Sequence, residues 1–190
     1  MTYKYRMFKS NQLFLNNFSI YFLGLISSGI ISFITIPLIV KYYGIESYGR
    51  FSLVQNVILI LISFGGGWLN QCVLRFNDYS TNFKFTIFQL YFIVLFPLNF
   101  ICFSILSLME NGVLIPILGT ITMFLGSFVA LSIVFYQSKF NARKTFYFDF
   151  IRILIFVSMV LFFNYVFYQT SSLLKLISSF FISYLISFFF

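Results

Sequence analysis

The stretch from Pro37 to Phe76, PLIVKYYGIESYGRFSLVQNVILILISFGGGWLNQCVLRF, constrains this chain more than any other part of it. An apolar run ends in the short turn Gly44-Ile45-Glu46-Ser47-Tyr48-Gly49. A second apolar run passes through Gly65-Gly66-Gly67 and closes on Arg75-Phe76. About 20 apolar residues in helical form cover roughly 30 Å of hydrocarbon. A backbone in lipid must also satisfy its own hydrogen bonds, which a helix does and an isolated strand does not. The runs are continuously apolar rather than alternating, which excludes barrel strands. The stretch therefore reads as a hairpin of two membrane-crossing helices.

The same pattern repeats along the chain and predicts six spans, near 18–40, 51–74, 86–109, 113–136, 150–168 and 173–190. The expected fold is all-α, a polytopic membrane bundle of about six transmembrane helices over 18–190. A cytoplasmic amphipathic segment at 1–17 precedes it, with FKSNQLFLNN at 8–17 lying along the inner surface. The first run is too long for a signal-peptide core and reads as a retained helix. The expected connections are short: about ten residues at 41–50, a bare turn at Glu110-Asn111-Gly112, and the longest link at 137–149. None has room for a soluble domain. The chain ends in three phenylalanines with no polar flank, which reads either as an interruption or as a last helix barely long enough to span.

Composition agrees and excludes much chemistry. Only 12 basic and 4 acidic residues accompany 61% hydrophobic ones, too few charges to cover a soluble exterior. Histidine is absent, which removes the commonest general base and metal ligand. Cys72 and Cys102 lack metal or redox spacing and read as free thiols packed as small apolar groups. The four acids, Glu46, Asp78, Glu110 and Asp149, stand apart in predicted loops or span ends and read as solvated charges rather than as a carboxylate pair. No catalytic residue, metal site or cofactor is expected, and an enzyme is not. Nucleic acid is rejected as a partner because the basic residues sit between apolar spans. They read instead as topology determinants: Lys4, Arg6, Lys9, Arg75, Lys84, Lys139, Arg143, Lys144 and Arg152 fall on one side, Lys41, Arg50 and Lys175 on the other. The positive-inside rule then places both termini in the cytoplasm.

Polar residues inside spans are the functional candidates, because in hydrocarbon they must face protein or a water-filled cavity. Span two holds Gln55, Asn56, Asn70 and Gln71 and closes on Arg75. Span three holds Gln89 and Asn99. Gln71 and Arg75 share a helix face at i,i+4 spacing. Arg75 has two readings, an inner-boundary anchor that snorkels to phosphates and a cation lining a vestibule for an anionic substrate. Gly65, Gly66 and Gly67 also have two, close helix packing and a bendable hinge. Pro97 removes a backbone donor and is predicted to kink span three, a second hinge candidate.

Taken together, the outer turn at 44–49, the glycine-bearing end of span two and the Arg75-Phe76 close resemble the N-terminal signature of the polysaccharide export family. These are lipid-linked oligosaccharide flippases, O-antigen type, of the multidrug/oligosaccharidyl-lipid/polysaccharide superfamily. The segment QSKFNARKTFYFDFIR at 137–152 resembles the family's basic link into the fifth span. The sharp part of the resemblance covers roughly residues 10–80. It implies a lobe that flips a polyprenyl-diphosphate-linked oligosaccharide across the bacterial plasma (inner) membrane for cell-surface polysaccharide biosynthesis. It also implies alternating access between two six-helix lobes around a cationic cavity. Six spans supply one such lobe, so the implied partners are the lipid bilayer, the lipid-linked oligosaccharide and a second six-helix lobe. That lobe is either another copy or a missing C-terminal half. Two other classes stay open, a non-transporting or remnant membrane subunit and an integral-membrane polysaccharide polymerase. The polymerase would call for a large basic outer loop, which the sequence lacks.

Overall fold

In the computed structural model the chain is described at residues 2–76, 81–110, 112–139, 141–166 and 172–189, with the side chains at 2–17, 21, 25, 81 and 82 left out. Asp78, Tyr168, Phe190 and the tail of the fifth predicted span lie outside these. Six helices follow one another: α1 (Thr2–Tyr43), α2 (Ile45–Phe76), α3 (Thr81–Met109), α4 (Leu114–Ser138), α5 (Ala142–Val166) and α6 (Ser172–Phe189). The described residues contain no strand. All six helices are long and apolar enough to cross a membrane, and the exposed surface is crowded with Phe, Ile and Leu, as for contact with lipid. The fold is an all-α, multi-pass membrane bundle.

Several boundaries move from those expected. The ten-residue outer connection shrinks to a turn at Gly44, whose φ of 84° is one that side chains with a Cβ rarely adopt. Lys41, Glu46 and Arg50 therefore ride on helices rather than on a loop. The segment at 2–17 continues into the first span as one helix, so no break in the backbone separates the two. The inner link expected at 137–149 is also short, because α5 begins at Ala142. Asn141 explains the early start: its side-chain oxygen accepts the Lys144 backbone N–H at 3.3 Å, an N-cap that satisfies one of the first-turn donors. α3 runs through Pro97 without a break.

α4 is the central helix, with Gly119, Thr122, Met123, Gly126, Ser127 and Val129 all buried. Apolar burial does not draw helices together in lipid, so close approach of backbones has to. Gly126 provides it, since a Cβ there would lie 2.8 Å from Ile62 of α2 and 3.1 Å from Tyr184 of α6. Buried hydroxyls bond back to their own helices, Ser127 to Met123, Ser179 to Lys175 and Ser187 to Ser183, which removes the cost of burying them.

α2 and α6 pack on α4, α5 on α6, and α1 mainly on α5, with only a weak contact between α1 and α2. The Tyr43 hydroxyl pins α1 to α5 by donating to the Val160 carbonyl at 2.5 Å. The two helices of the sequence hairpin thus splay apart beyond their turn.

A cationic cleft between α1, α2, α5 and α6

The splay leaves a cavity of about 290 Å³ lined by all four helices. α1 contributes Ser32 and Thr35, α2 Tyr48 and Gln55, α5 Arg152, and α6 Ser183 and Tyr184. Phe51, Phe156 and Phe180 form an aromatic wall. Phe51 stacks on Phe156 at 5.8 Å, and Phe180 meets both edge-on at 5.8 and 6.0 Å.

Arg152 dominates the polar side. It stands ten residues into a helix of 25, about 15 Å from the α5 N-terminus and about 21 Å from its other end at 1.5 Å per residue. An ionised side chain at that depth is costly unless it is partnered or faces water. Its Nη1 donates to the Tyr184 hydroxyl at 2.5 Å, and its guanidinium carbon lies 5.0 Å from the centre of the same ring. Its Nη2 donates to Asp149 at 3.1 Å. The Nε is buried with no partner among the described residues. A guanidinium carries five donors in a planar fork, so this one retains donor capacity in a cleft that also offers hydroxyl and amide groups.

The sequence places Arg152 with the boundary cations, since hydropathy starts span five near 150. The earlier start of α5 moves it into the span. The sequence signal for this was the acid at i−3 together with the apolar run on both sides, FDFIRILIF.

The residues singled out from sequence do not assemble into one site. Gln55 lines the cleft. Asn56 is exposed. Asn70 accepts a hydrogen bond from the Tyr91 hydroxyl at 3.3 Å, on the side of α2 that faces α3. Gln71 and Arg75 are exposed; at about 100° per residue they project roughly 160° and 200° around α2 from Gln55. Gln89 lines a shallow outward groove on α3 with Phe85, Phe88, Phe92 and Ile93. Asn99 donates to the Leu95 carbonyl at 2.9 Å, and its side-chain oxygen is buried without a partner among the described residues. Gly65 and Gly66 sit hard against α3. A Cβ would fall 2.3 Å from Leu98 at the first and 2.2 Å from the Tyr91 hydroxyl at the second, whereas at Gly67 nothing among the described residues lies within 4 Å. Pro97 is exposed. Among the described residues no group of three or more Cys, Asp or Glu is placed to hold a metal ion, and both cysteines are free.

No protein-family model, curated protein or solved structure matches the chain.

Proposed function

We propose that this chain is a transporter lobe that receives the anionic head of a lipid-linked substrate in the Arg152 cleft, as a step in exporting a polyprenyl-diphosphate-linked oligosaccharide. The observation that carries the reading is the Arg152 guanidinium near the middle of α5, lining a cavity with hydroxyls, an amide and an aromatic wall and bonded through Nη1 to Tyr184 and Nη2 to Asp149. A diphosphate cannot cross hydrocarbon unaided, because its desolvation is prohibitive. A planar fork of donors suits phosphate oxygens better than an ammonium does. Phe51, Phe156 and Phe180 offer an apolar flank for the proximal isoprene units, while Gln55, Ser32 and Thr35 offer partners to a sugar. The hairpin motif at Pro37–Phe76 supports the same family reading. The proposed placement is the bacterial plasma membrane with both termini cytoplasmic. A second six-helix lobe would complete an alternating-access pathway, which needs two bodies moving about a shared site.

The test compares polyprenyl diphosphate with polyprenyl alcohol for binding to the chain in lipid nanodiscs. Tighter binding of the diphosphate is expected. Arg152→Met should reduce that preference by tenfold or more, on the order of one charge-assisted hydrogen bond. Arg152→Lys should recover only part of it. Equal binding of the two lipids by the unaltered chain would sink the reading. Diphosphate binding with no acceleration of leaflet exchange, alone or beside a second lobe, would favour the non-transporting subunit.

A further inference from the structure

A second cavity, of about 160 Å³, lies between α4, α5 and α6 at the end of the bundle where α5 begins. It is lined by Tyr136 of α4, by Lys144, Tyr147, Phe148 and Ile151 of α5, and by Ser187 of α6. Its residues are ordered by depth. Lys144 stands in the first turn of α5. Phe148 and Ile151 follow it at i+4 and i+7 on the same helix face, about 6 and 10 Å further along the axis. The rim is therefore cationic and the interior apolar. The cation is also positioned, with the Lys144 Nζ 4.9 Å from the centre of the Tyr136 ring and Tyr136 packed on Phe148 at 5.5 Å. Among the described residues no acidic one lines the cavity. Asp149, the acid nearest in sequence, is turned to Arg152 at 3.1 Å. On the other side of Tyr147, Arg143 lines a second groove with Ile20, Leu23 and Phe146. Two cations adjacent in sequence thus flank one tyrosine, each above apolar walls.

We infer that the Lys144 cavity is a binding site for an anionic phospholipid of the surrounding bilayer. Lys144 and Tyr136 hold the phosphate, Arg143 adds its charge from the neighbouring groove, and Phe148 and Ile151 take the upper part of an acyl chain. A free phosphate would use the rim but gain nothing from the apolar depth. A zwitterionic lipid would fill the depth but bring a choline or ethanolamine cation to a basic rim. An anionic glycerophospholipid matches both ends. Basic pockets between transmembrane helices at a membrane surface recognise such headgroups by this combination. The site is separate from the Arg152 cleft and does not depend on what that cleft carries.

The experiment is native mass spectrometry of the full chain released from nanodiscs of equimolar phosphatidylglycerol and phosphatidylcholine. Retention of phosphatidylglycerol over phosphatidylcholine is expected, with the preference falling about fivefold in Lys144→Gln, the factor carried by one basic side chain beside an anionic headgroup. Lys144→Arg should keep it. Tyr136→Leu should lower it while leaving charge unchanged. Lys84→Gln, an exposed cation on α3, controls for general surface charge and should leave it intact. Equal retention of the two lipids overturns the proposal. So does an equal loss from Lys84→Gln and Lys144→Gln, which would mean a diffuse charge effect. Displacement of the bound lipid by millimolar glycerol phosphate would mean an anion site alone and overturns it as well.

Discussion

Arg50 and Glu110 meet fork to fork, Nε to Oε1 at 3.1 Å and Nη2 to Oε2 at 2.9 Å, tying the start of α2 to the turn between α3 and α4. The two partners are not equivalent. The Glu110 side chain is 7% exposed and that of Arg50 48%. Removing Arg50 strands a buried carboxylate, whereas removing Glu110 leaves a guanidinium that reaches water. Breaking a pair from the exposed side should therefore cost more than breaking it from the buried side. Arg50→Met is expected to lower stability by about 1–3 kcal/mol, Glu110→Gln by less, and the double variant by less than the sum. Unfolding of the detergent-solubilised chain measures all three, and a larger loss for Glu110→Gln would contradict this account. At this scale the sequence showed which residues carry charge but not whom they meet. Glu110 read as a solvated loop charge because its partner is 60 positions away. Arg152 read as a boundary charge because a charged residue ends a hydropathy run whether or not the helix continues past it. The Asn141 cap, together with Asp149 three residues before Arg152, marks a helix that had already begun.

Helices are the level most fully legible in the sequence, because six apolar runs of spanning length admit no other secondary structure in lipid. Their ends were less so. Gly44 alone makes the turn that a ten-residue loop was expected to make, since charged and tyrosine-bearing ends such as Lys41 and Glu46 extend helices into the interface rather than terminate them. The glycine triplet shows what spacing cannot resolve. Three identical residues meet different surroundings, with α3 against two of them and open space beside the third. Gly66→Ala should force Tyr91 to move and break its bond to Asn70, costing about 1–3 kcal/mol as overpacking does. Gly67→Ala should be neutral or stabilising by up to about 1 kcal/mol through helix propensity. Thermal unfolding in detergent separates the two. If the triplet also serves as a hinge, Gly67→Ala should slow leaflet exchange while raising stability, a combination that packing alone does not produce.

The whole molecule has a polarity that its charges impose and its ion pair respects. Helix alternation puts Lys41, Arg50 and Glu110 at one end of the bundle, and the Arg50–Glu110 pair requires those two connections to share an end. The other end collects Arg75, Lys84, Lys139, Arg143 and Lys144, with Lys4, Arg6 and Lys9 preceding the first span. Moving Arg152 from boundary to interior removes one cation from that side, yet Lys41, Arg50 and Lys175 still face more than twice their number. The positive-inside rule counts residues near span ends in short loops, which is what this chain has, so the heavier side is expected in the cytoplasm. Ile45 and Phe76 sit at opposite ends of α2 and are both exposed, at 77% and 68%. Neither carries charge, so cysteine there leaves the topogenic signal untouched. In whole cells a membrane-impermeant maleimide should modify Ile45→Cys, and Phe76→Cys only after permeabilisation. The unaltered chain, with Cys102 buried and Cys72 partly so, sets the background. The opposite labelling pattern would place both termini outside. It would also turn the Lys144 site to the outer leaflet, while the lipid experiment, run in discs of one composition on both faces, would read the same.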